Sequence, residues 1–341
     1  MSQQSTRVAV IGAGVSGLTA RRILRSAGAA VDTFDKGRGP GGRISSRREG
    51  EYQFDHGTQY FTATSAEFTA LVKRWVEQDV VVPWTPRIGT LQDGRWTAKP
   101  GGPERYVGVP GMNEPARMLA GEVDGVINYQ CRIESVQRGA ESGWTLRDDS
   151  GVQHEGYDWV VISTPPAQVL AMLKLPSPVR PILGGAVIDP CWAVMALFEP
   201  ALEIEWDAAF VQKGPLSWAA RNSSKPGRPD PDAWVLHATA DWSRRFVEND
   251  KEWVAAQLIA AFFDALARQP HSPSRRAAHR WRYARPRTQL PDGYWWDPAV
   301  GLGLCGDWCI GGRVESAFTS ARLLCRQIIA RISAQRNAPA S

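Results

Sequence analysis

Residues 7–35 contain the first regular pattern of the chain and read RVAVIGAGVSGLTARRILRSAGAAVDTFD. An apolar run typical of a short buried strand leads through the glycine-rich segment 12–17 into a helical pattern that Gly28 ends. A second strand is predicted over residues 30–34, and Asp35 ends it. Strand, Gly-x-Gly-x-x-Gly, helix, strand and acid in this order are typical of a Rossmann dinucleotide-binding unit.

The residue types in this motif have separate physical roles. Gly12 permits a tight turn, Gly14 lets the backbone approach a pyrophosphate, and Gly17 lets the helix pack closely on the strand. The amides at the start of the helix then face the phosphates. Asp35 can accept hydrogen bonds from a ribose diol. The sequence therefore predicts a bound dinucleotide.

A second literal match to the glycine pattern occurs at residues 301–306, which read GLGLCG. These glycines lie within a predicted strand rather than at its end. Asp307 follows at once, and the helical pattern begins only near Glu315. We therefore expect one nucleotide cofactor and no second Rossmann domain for a separate pyridine nucleotide.

The composition excludes several classes of protein. The chain has 341 residues, 43% apolar and 22% charged, with a net charge of +5, which excludes a disordered or low-complexity protein. The length suggests about two domains. The 33 arginines and 7 lysines are spread along the chain, which argues against a nucleic-acid-binding surface. Neither a signal-peptide pattern nor an 18-residue apolar stretch is present, so we expect a soluble, cytoplasmic protein with no membrane partner.

The five cysteines and five histidines do not predict a metal site. Cys305 and Cys309 have no neighbouring cysteine or histidine pair, so buried free thiols are the expected state. His56, His154 and His271 lack metal-ligand spacing. We therefore assign no metal.

Three further segments resemble motifs of flavoproteins of the amine-oxidase and glutathione-reductase-like group. Residues 37–46 (GRGPGGRISS) resemble its Arg-x-Gly-Gly-Arg-x-x-Ser signature, and residues 55–61 (DHGTQYF) resemble the segment that brings backbone to the flavin. Residues 306–308 (GDW) and 312–317 (GRVESA) resemble its second FAD motif. In that motif Asp307 would bind the ribityl or pyrophosphate region.

Within that group the chain resembles the bacterial renalases. The resemblance continues through residues 218–228 (WAARNSSKPGR), 234–239 (WVLHAT) and 279–286 (HRWRYARP). It implies noncovalent FAD and a dinucleotide substrate, the 1,2-dihydro and in some members the 1,6-dihydro isomers of NAD(P)H. These are oxidised to NAD(P)+ by hydride transfer to flavin N5, and dioxygen is reduced to hydrogen peroxide.

The implied fold is α/β plus β, a Rossmann-type FAD-binding domain with a discontinuous, mostly antiparallel substrate-binding domain. The expected boundaries are residues 1–75, 121–175 and 290–335 for the FAD-binding domain, 76–120 and 176–289 for the substrate domain, and 336–341 for a disordered tail. The residues expected to bind the cofactor are Gly12, Ala13, Gly14, Ser16, Gly17, Asp35, Lys36, Arg38, Gly42, Arg43, His56, Gly57, Thr58, Gln59, Ile133, Thr164, Gly306, Asp307, Arg313, Val314, Glu315 and Ala317.

Strand periodicity indicates which side chains share a face in the second domain. Alternate residues from His279 through Trp281 and Tyr283 to Arg285 fall on one face, and the two arginines between them fall on the other. In the strand at residues 234–239, His237 lies opposite Trp234. Trp234 is therefore expected in the core. The 15 tryptophans of the chain are otherwise structural by default.

Hydride transfer to a flavin needs orientation in a dry site more than a strong base. We therefore expect Asn222 and His237 to anchor polar groups of the substrate. Tyr60, Trp281 and Tyr283 are the candidate walls of the site. The alternative is that these residues belong to the core. Arg285, Arg228 and Lys225 are candidates for substrate phosphates, or else solvated.

Two departures separate the chain from amine oxidases. Residues 252–341 contain no lysine, although amine oxidases place one near flavin N5. Cys309 is not within a flavin-attachment motif. An amine-oxidase-like FAD oxidase of a small amine and a non-catalytic FAD-binding protein remain as alternatives.

Overall fold

The computed structural model describes residues 5–50, 52–139, 143–173, 178–229 and 231–337. The strands are β1 (Arg7–Ile11), β2 (Ala30–Phe34), β3 (Arg47–Glu49), β4 (Tyr52–Phe54), β5 (Val81–Pro83), β6 (Ile88–Gln92), β7 (Arg95–Ala98), β8 (Tyr106–Gly108), β9 (Ile127–Asn128), β10 (Ile133–Arg138), β11 (Trp144–Asp148), β12 (Gln153–Tyr157), β13 (Trp159–Ile162), β14 (Ile188–Phe198), β15 (Ala208–Val211), β16 (Leu216–Arg221), β17 (Asp232–Ala238), β18 (Arg275–Pro286), β19 (Trp295–Asp297) and β20 (Leu302–Leu304). The helices are α1 (Val15–Ser26), α2 (Ala66–Glu77), α3 (Glu114–Gly121), α4 (Pro166–Met172), α5 (Val179–Gly185), α6 (Ala240–Arg245), α7 (Lys251–Leu266) and α8 (Val314–Asn337).

The chain divides into two compact units. The first unit comprises residues 1–42, 115–188 and 286–341, and the second comprises residues 43–114 and 189–285. Residues 43–75, which sequence analysis groups with the nucleotide-binding domain, are in the second unit. The predicted tail begins within helix α8, and its residues 338–341 lie outside the described part of the chain.

The first unit is built on a six-stranded sheet with the order β19-β20-β13-β1-β2-β9. All neighbouring pairs are parallel except β19 and β20. Val8 and Val10 pack against helices α1 and α8, and Ala9 and Ile11 pack on the opposite face against the cluster that includes strands β10 to β12. Because both faces are covered, the central strand β1 is almost entirely apolar.

The strand β20 lies inside this sheet, beside β13 and parallel to it. It contains Leu302 to Leu304, the centre of the second glycine-rich match. Helix α8 begins only at Val314. Of the glycines of this match, Gly303 lies in β20 as predicted, whereas Gly301 and Gly306 flank the strand.

The second unit contains a seven-stranded sheet with the order β18-β14-β17-β16-β15-β6-β7. Its recorded pairs are antiparallel apart from β6 and β15. Helix α7 starts after Asp250, whose carboxylate accepts from the amides of Glu252 and Trp253. Its apolar residues join the main core of this unit, where Trp234 packs 5.1 Å from Phe262. The prediction that Trp234 is a core residue is confirmed.

The described residues form no helix that is both long enough and apolar enough to cross a membrane.

Candidate functional site

The glycine-rich loop after β1 has the geometry of a phosphate-binding turn. Gly12 has a φ of +110°, which favours glycine, and its amide donates to the carbonyl of Phe34 over 2.8 Å. A Cβ atom at Gly17 would lie 1.9 Å from the Gly12 carbonyl oxygen, so only glycine allows this helix to start here. A Cβ at Gly14 would meet nothing nearer than 4.0 Å. The space beside Gly14 therefore fits a pyrophosphate.

Asp35 ties the loop to the next segment of the chain. One carboxylate oxygen accepts from the amide of Ala13, and the other accepts from the amide of Gly37, both over 2.6 Å. The amide of Gly41 donates to the Ala13 carbonyl over 3.0 Å. The segment at residues 37–42 thus folds back onto the phosphate loop, as a shared cofactor site requires.

The charged residues near this segment differ in exposure. Lys36 and Arg38 are exposed, and Arg43 is half-buried. Partial loss of hydration at the Lys36 amine, followed by repulsion from Arg132, lowers the pKa of this residue although its side chain still reaches solvent. Lys36 and Arg38 are therefore accessible to an anionic ligand.

Three further residues predicted to bind the cofactor lie in the first unit. The Ser16 hydroxyl donates to Cys305 Sγ over 3.2 Å, and Ile133 is buried in the core, so a contact from either residue to a cofactor would come from its backbone. Thr164 follows β13, and its buried Oγ1 has no hydrogen-bond partner among the described residues. Thr164 Oγ1 is therefore a polar atom in need of a ligand or a water molecule.

The second predicted FAD motif forms a tight turn before helix α8. The Asp307 carbonyl accepts from the amides of Gly311 and Gly312 over 2.7 and 3.1 Å, and the amide of Gly306 donates to Ser320 over 3.0 Å. Val314 and Glu315 are buried at the start of α8, Ala317 is half-buried, and Arg313 is exposed. The motif therefore presents a helix start, a feature that suits a phosphate or another polar group.

In the second unit, two side chains from separate strands meet the carbonyl of His56. The Trp281 indole donates to this oxygen over 2.9 Å, and His237 Nε2 lies 3.2 Å from it. A Cβ atom at Gly57 would lie 2.1 Å from the Arg43 carbonyl and 3.1 Å from the Trp281 ring. The close approach of three segments thus requires glycine at residue 57.

The rings around this carbonyl form what we call the imidazole–indole cluster, namely His56, His237, His279 and Trp281. The His56 ring centroid lies 4.6 Å from that of His279 and 4.9 Å from that of Trp281. His279 and Trp281 are 4.3 Å apart, which confirms that they share a face of β18. Tyr283 is half-buried two residues further along, and Arg285 is exposed.

The arginines on the other face of β18 bind a different group. Arg280 and Arg282 both donate to the carboxylate of Glu248. The predicted separation of an aromatic and a cationic face along this strand is therefore confirmed.

The imidazoles of the cluster are uncharged at neutral pH. Burial lowers the pKa of His56 and of His237 to about 3, with further lowering from His279 and Arg285 respectively. Burial and Arg47 lower the pKa of His279 to about 4. His56 Nδ1 is buried and has no hydrogen-bond partner among the described residues. The cluster is therefore a neutral wall with an unused polar atom.

Next to the cluster in sequence, Asp55 is the centre of a buried ion cluster with Lys225 and Arg228. Its Oδ2 accepts from Lys225 over 3.2 Å and from Arg228 Nη2 over 2.6 Å, and all three side chains are fully buried. Burial alone would raise the pKa of Asp55, but the two cations lower it to about 2. Lys225 and Arg228, candidates for substrate phosphates, are instead enclosed with this carboxylate.

Asn222 does not present a free amide to a ligand. Its Nδ2 donates to the Gln53 carbonyl over 2.9 Å, and its Oδ1 accepts from the amide of Asp55 over 3.2 Å. Its side chain is also within 3.4 Å of Lys225 Nζ. Because both ends of the amide are occupied, Asn222 holds the 53–55 segment in place.

Gln59 acts in the same way on the other side of the segment. Its Nε2 donates to the carbonyls of Asp55 and Gly57, and its Oε1 accepts from Lys225 over 3.2 Å. The amide of Thr58 donates to the Arg43 carbonyl over 2.9 Å. Residues 55–59 are thus fixed by hydrogen bonds on both sides.

Sequence reasoning missed the role of Asp55. The signal was present in the DHGTQ segment, where an acid stands directly after the apolar end of a strand, and in the two cations of the KPGR segment. Their pairing joins residues 170 positions apart, which no local pattern contains.

Tyr60 belongs to a separate aromatic group. Its ring centroid lies 5.9 Å from Trp84 and 6.0 Å from Trp218, and the Arg105 guanidinium lies 5.5 Å from it. The buried indole nitrogens of Trp84 and Trp218 have no hydrogen-bond partner among the described residues. Tyr60 therefore packs in an aromatic group that contains two buried indole donors without a partner among the described residues.

Comparison with known proteins identifies the fold of the chain. The family described as NAD(P)-binding Rossmann-like domain matches residues 10–75. The crystal structure of a provisionally named protoporphyrinogen oxidase from Exiguobacterium sp. 255-15 is similar over 96% of this chain and 100% of its own, with a TM-score of 0.80 and 13% identity. The chain has an amine-oxidase-like fold. The predicted fold class is confirmed.

Structures of putrescine oxidase are similar as well. The wild-type enzyme bound to putrescine aligns over 96% of this chain and 99% of its own, with a TM-score of 0.73 and 14% identity. A triple mutant of that enzyme, from a redesign of its cofactor binding, gives a TM-score of 0.74 at the same identity. At these identities the similarity establishes the arrangement of helices and strands.

Proposed function

We propose that this protein is an FAD-dependent oxidoreductase. The open space at Gly14, the Asp35 carboxylate at the end of β2 and the turn at Asp307 fit the pyrophosphate, ribose and ribityl portions of FAD. Bound FAD would supply the two-electron redox chemistry, which protein side chains do not provide. The amine-oxidase-like fold supports the same cofactor.

As substrate we propose a misreduced dihydronicotinamide dinucleotide, the 1,2-dihydro or 1,6-dihydro isomer of NAD(P)H. The substrate loses a hydride, with its electron pair, and its ring becomes an aromatic pyridinium cation. Overall, the substrate, one proton and one dioxygen give NAD(P)+ and hydrogen peroxide, so atoms and electrons balance. Resemblance to the bacterial renalases over residues 218–228, 234–239 and 279–286 supports this choice.

The structural observation that supports this substrate class is the packing of the planar rings of the imidazole–indole cluster, with centroids 4.3 to 4.9 Å apart. The pKa values of His56, His237 and His279, lowered to about 3 to 4, leave the cluster uncharged. A neutral wall does not repel the pyridinium charge that develops as the hydride leaves. His237 and Trp281 fix the backbone at His56, and a substrate ring bound against this cluster would be oriented by it.

The test is anaerobic mixing of the purified, FAD-loaded protein with each dihydronicotinamide isomer. The 1,2-dihydro or 1,6-dihydro isomer should bleach the flavin absorbance rapidly, and ordinary 1,4-dihydro-NADH should leave it oxidised. A flavin that both misreduced isomers leave oxidised would exclude this substrate. In a matched pair, Asp35→Ala should lower FAD retention, and His237→Ala should retain FAD but slow its reduction.

A second candidate reaction is oxidation of a small amine. The observation that favours it is the similarity of fold to putrescine oxidase over 96% of the chain. Steady peroxide production from a panel of amines, with no flavin bleaching by dihydronicotinamides, would establish it in place of the first. A protein that stays colourless after incubation with FAD would contradict both reactions.

A further inference from the structure

A second group of chemically reactive side chains lies in the first unit, around the three-stranded sheet of β10, β11 and β12. Cys131 Sγ, a carboxylate oxygen of Asp148 and a ring nitrogen of His154 all lie within 4.8 Å of one another. Asp148 Oδ2 is 3.0 Å from His154 Nε2 and 3.5 Å from Cys131 Sγ. Residue spacing in the sequence did not connect these three residues, because the pairing of the strands brings them together.

The carboxylate of Asp148 is oriented by the turn that follows it. Its Oδ1 accepts from the Ser150 amide over 3.0 Å, the Ser150 hydroxyl over 2.7 Å and the Val152 amide over 3.0 Å. These three donors leave Oδ2 directed at Cys131 and His154. Donors that fix the orientation of a carboxylate ligand are typical of protein metal sites.

The other two side chains are also held in position and remain accessible. The His154 ring packs 4.7 Å from Phe34, and 24% of the His154 side chain is exposed. The amide of Cys131 donates to the Asp35 carbonyl over 3.0 Å. Cys131 is half-buried, whereas the four other cysteines are buried. Cys131 is therefore the least buried of the five cysteines.

We propose that Cys131, Asp148 and His154 bind Zn²⁺, with one thiolate, one carboxylate and one imidazole ligand. Bonds of about 2.0 to 2.3 Å to a tetrahedral ion place donor atoms roughly 3.3 to 3.7 Å apart. The two pairs that include Asp148 are 3.0 and 3.5 Å apart, and Cys131 Sγ lies within 4.8 Å of the His154 nitrogen. A water molecule would complete the tetrahedron. Sulfur and nitrogen ligands favour Zn²⁺ over Mg²⁺ or Ca²⁺, which take oxygen ligands.

Binding replaces the thiol proton of Cys131 by the metal, so one proton is released for each ion bound. In the absence of a cation the Cys131 thiol donates to Asp148 Oδ2 over 3.5 Å. A bound divalent ion stabilises the thiolate instead. The site does not depend on the proposed oxidoreductase function.

The experiment is a Co²⁺ titration of untagged protein freed of metal by a chelator. One equivalent of Co²⁺ should produce thiolate-to-cobalt charge-transfer absorption, and Zn²⁺ should displace it. Cys131→Ser should remove the absorption. His154→Gln should weaken binding at least about tenfold, and Ser150→Ala should weaken it about tenfold through Asp148. Asp149→Asn, at an exposed neighbouring carboxylate, is the matched control and should bind as the wild type does.

Two results would overturn the site. Absence of saturable charge-transfer absorption in the wild type means that the three residues hold only a hydrogen-bonded cluster. Equal absorption in the wild type and in Cys131→Ser means adventitious binding elsewhere. Thermal unfolding of each variant without metal shows that the comparison is between folded proteins.

Discussion

Asp55 and His56 are consecutive residues, yet their side chains are buried in opposite charge states. Asp55 is ionised, because Lys225 and Arg228 contact its carboxylate directly. His56 is neutral, since it meets other rings and no carboxylate lies within hydrogen-bond distance of its buried Nδ1 among the described residues. A buried group keeps its charge only where a hydrogen-bonded counter-charge offsets the loss of hydration, and otherwise it becomes neutral.

The ion cluster and the imidazole–indole cluster therefore contact the segment at residues 53–59 in different ways. Lys225 of the ion cluster donates to Asn222 and Gln59, and these two side chains hydrogen-bond to the backbone of residues 53–57. The imidazole–indole cluster contacts the same backbone at the His56 carbonyl and presents uncharged rings. Asp55 thus anchors the loop through charged contacts, and the adjacent His56 contributes an uncharged ring.

The largest expected effect comes from removing the charge at the centre of the ion cluster. Asp55→Asn leaves Lys225 and Arg228 buried without their counter-ion, and should lower the free energy of unfolding by about 3–5 kcal/mol. Equilibrium urea unfolding measures this change. Asp93→Asn, which breaks an exposed pair with Lys213, is the control and should leave stability almost unchanged. Equal effects of the two substitutions would contradict the proposed role of the ion cluster.

A smaller effect distinguishes the clusters by pH. The pKa of His237 falls from 6.5 to about 3 on folding, so the unfolded chain binds a proton that the folded chain does not. Its contribution is fully present above about pH 6.5 and is lost as the pH falls, by up to about 1.4 kcal/mol per pH unit. The pKa of Asp55 falls from 3.8 to about 2, so its contribution is lost only below about pH 4.

Urea unfolding of the wild type and of His237→Gln between about pH 6.5 and 4 tests this separation. Glutamine does not titrate, so the variant should lose less stability over this range than the wild type does. If the free energy of unfolding of the two proteins fell equally with pH, folding would not lower the pKa of His237. The distinction between the two clusters would then be removed.

Local sequence patterns predicted the faces of strands but not the pairs made across the fold. Strand alternation placed His279 with Trp281 and put Trp234 in the core, because a period of two residues is a property of each strand alone. The glycine motif predicted the turn at Gly12 for the same local reason. The residues of the ion cluster and of the proposed zinc site come together only through packing and strand pairing.

Asn222 shows what the sequence could not predict about the candidate site. Its sequence context resembles a substrate anchor, but whether a buried amide is free depends on which backbone groups surround it. Here Gln53 and Asp55 occupy both of its ends. An unused polar atom is visible only in the folded chain, as at His56 Nδ1.

The smallest expected effect tests whether the imidazole–indole cluster orients its loop through a single hydrogen bond. Trp281→Phe removes the donor to the His56 carbonyl and should lower the free energy of unfolding by about 0.5–1.5 kcal/mol, since His237 still contacts that oxygen. Trp96→Phe is the control, because its half-buried indole donates to a backbone carbonyl over a longer 3.4 Å.

The two variants should differ most in flavin reduction. Trp281→Phe should slow anaerobic reduction by the misreduced dinucleotide several-fold, as the wall loses its fixed orientation, while Trp96→Phe should reduce its flavin at the wild-type rate. Equal rates in Trp281→Phe and the wild type, with the stability loss present, would show that this hydrogen bond stabilises the loop without orienting the substrate. Orientation of the substrate by the imidazole–indole cluster would then have to come from His237 and His279.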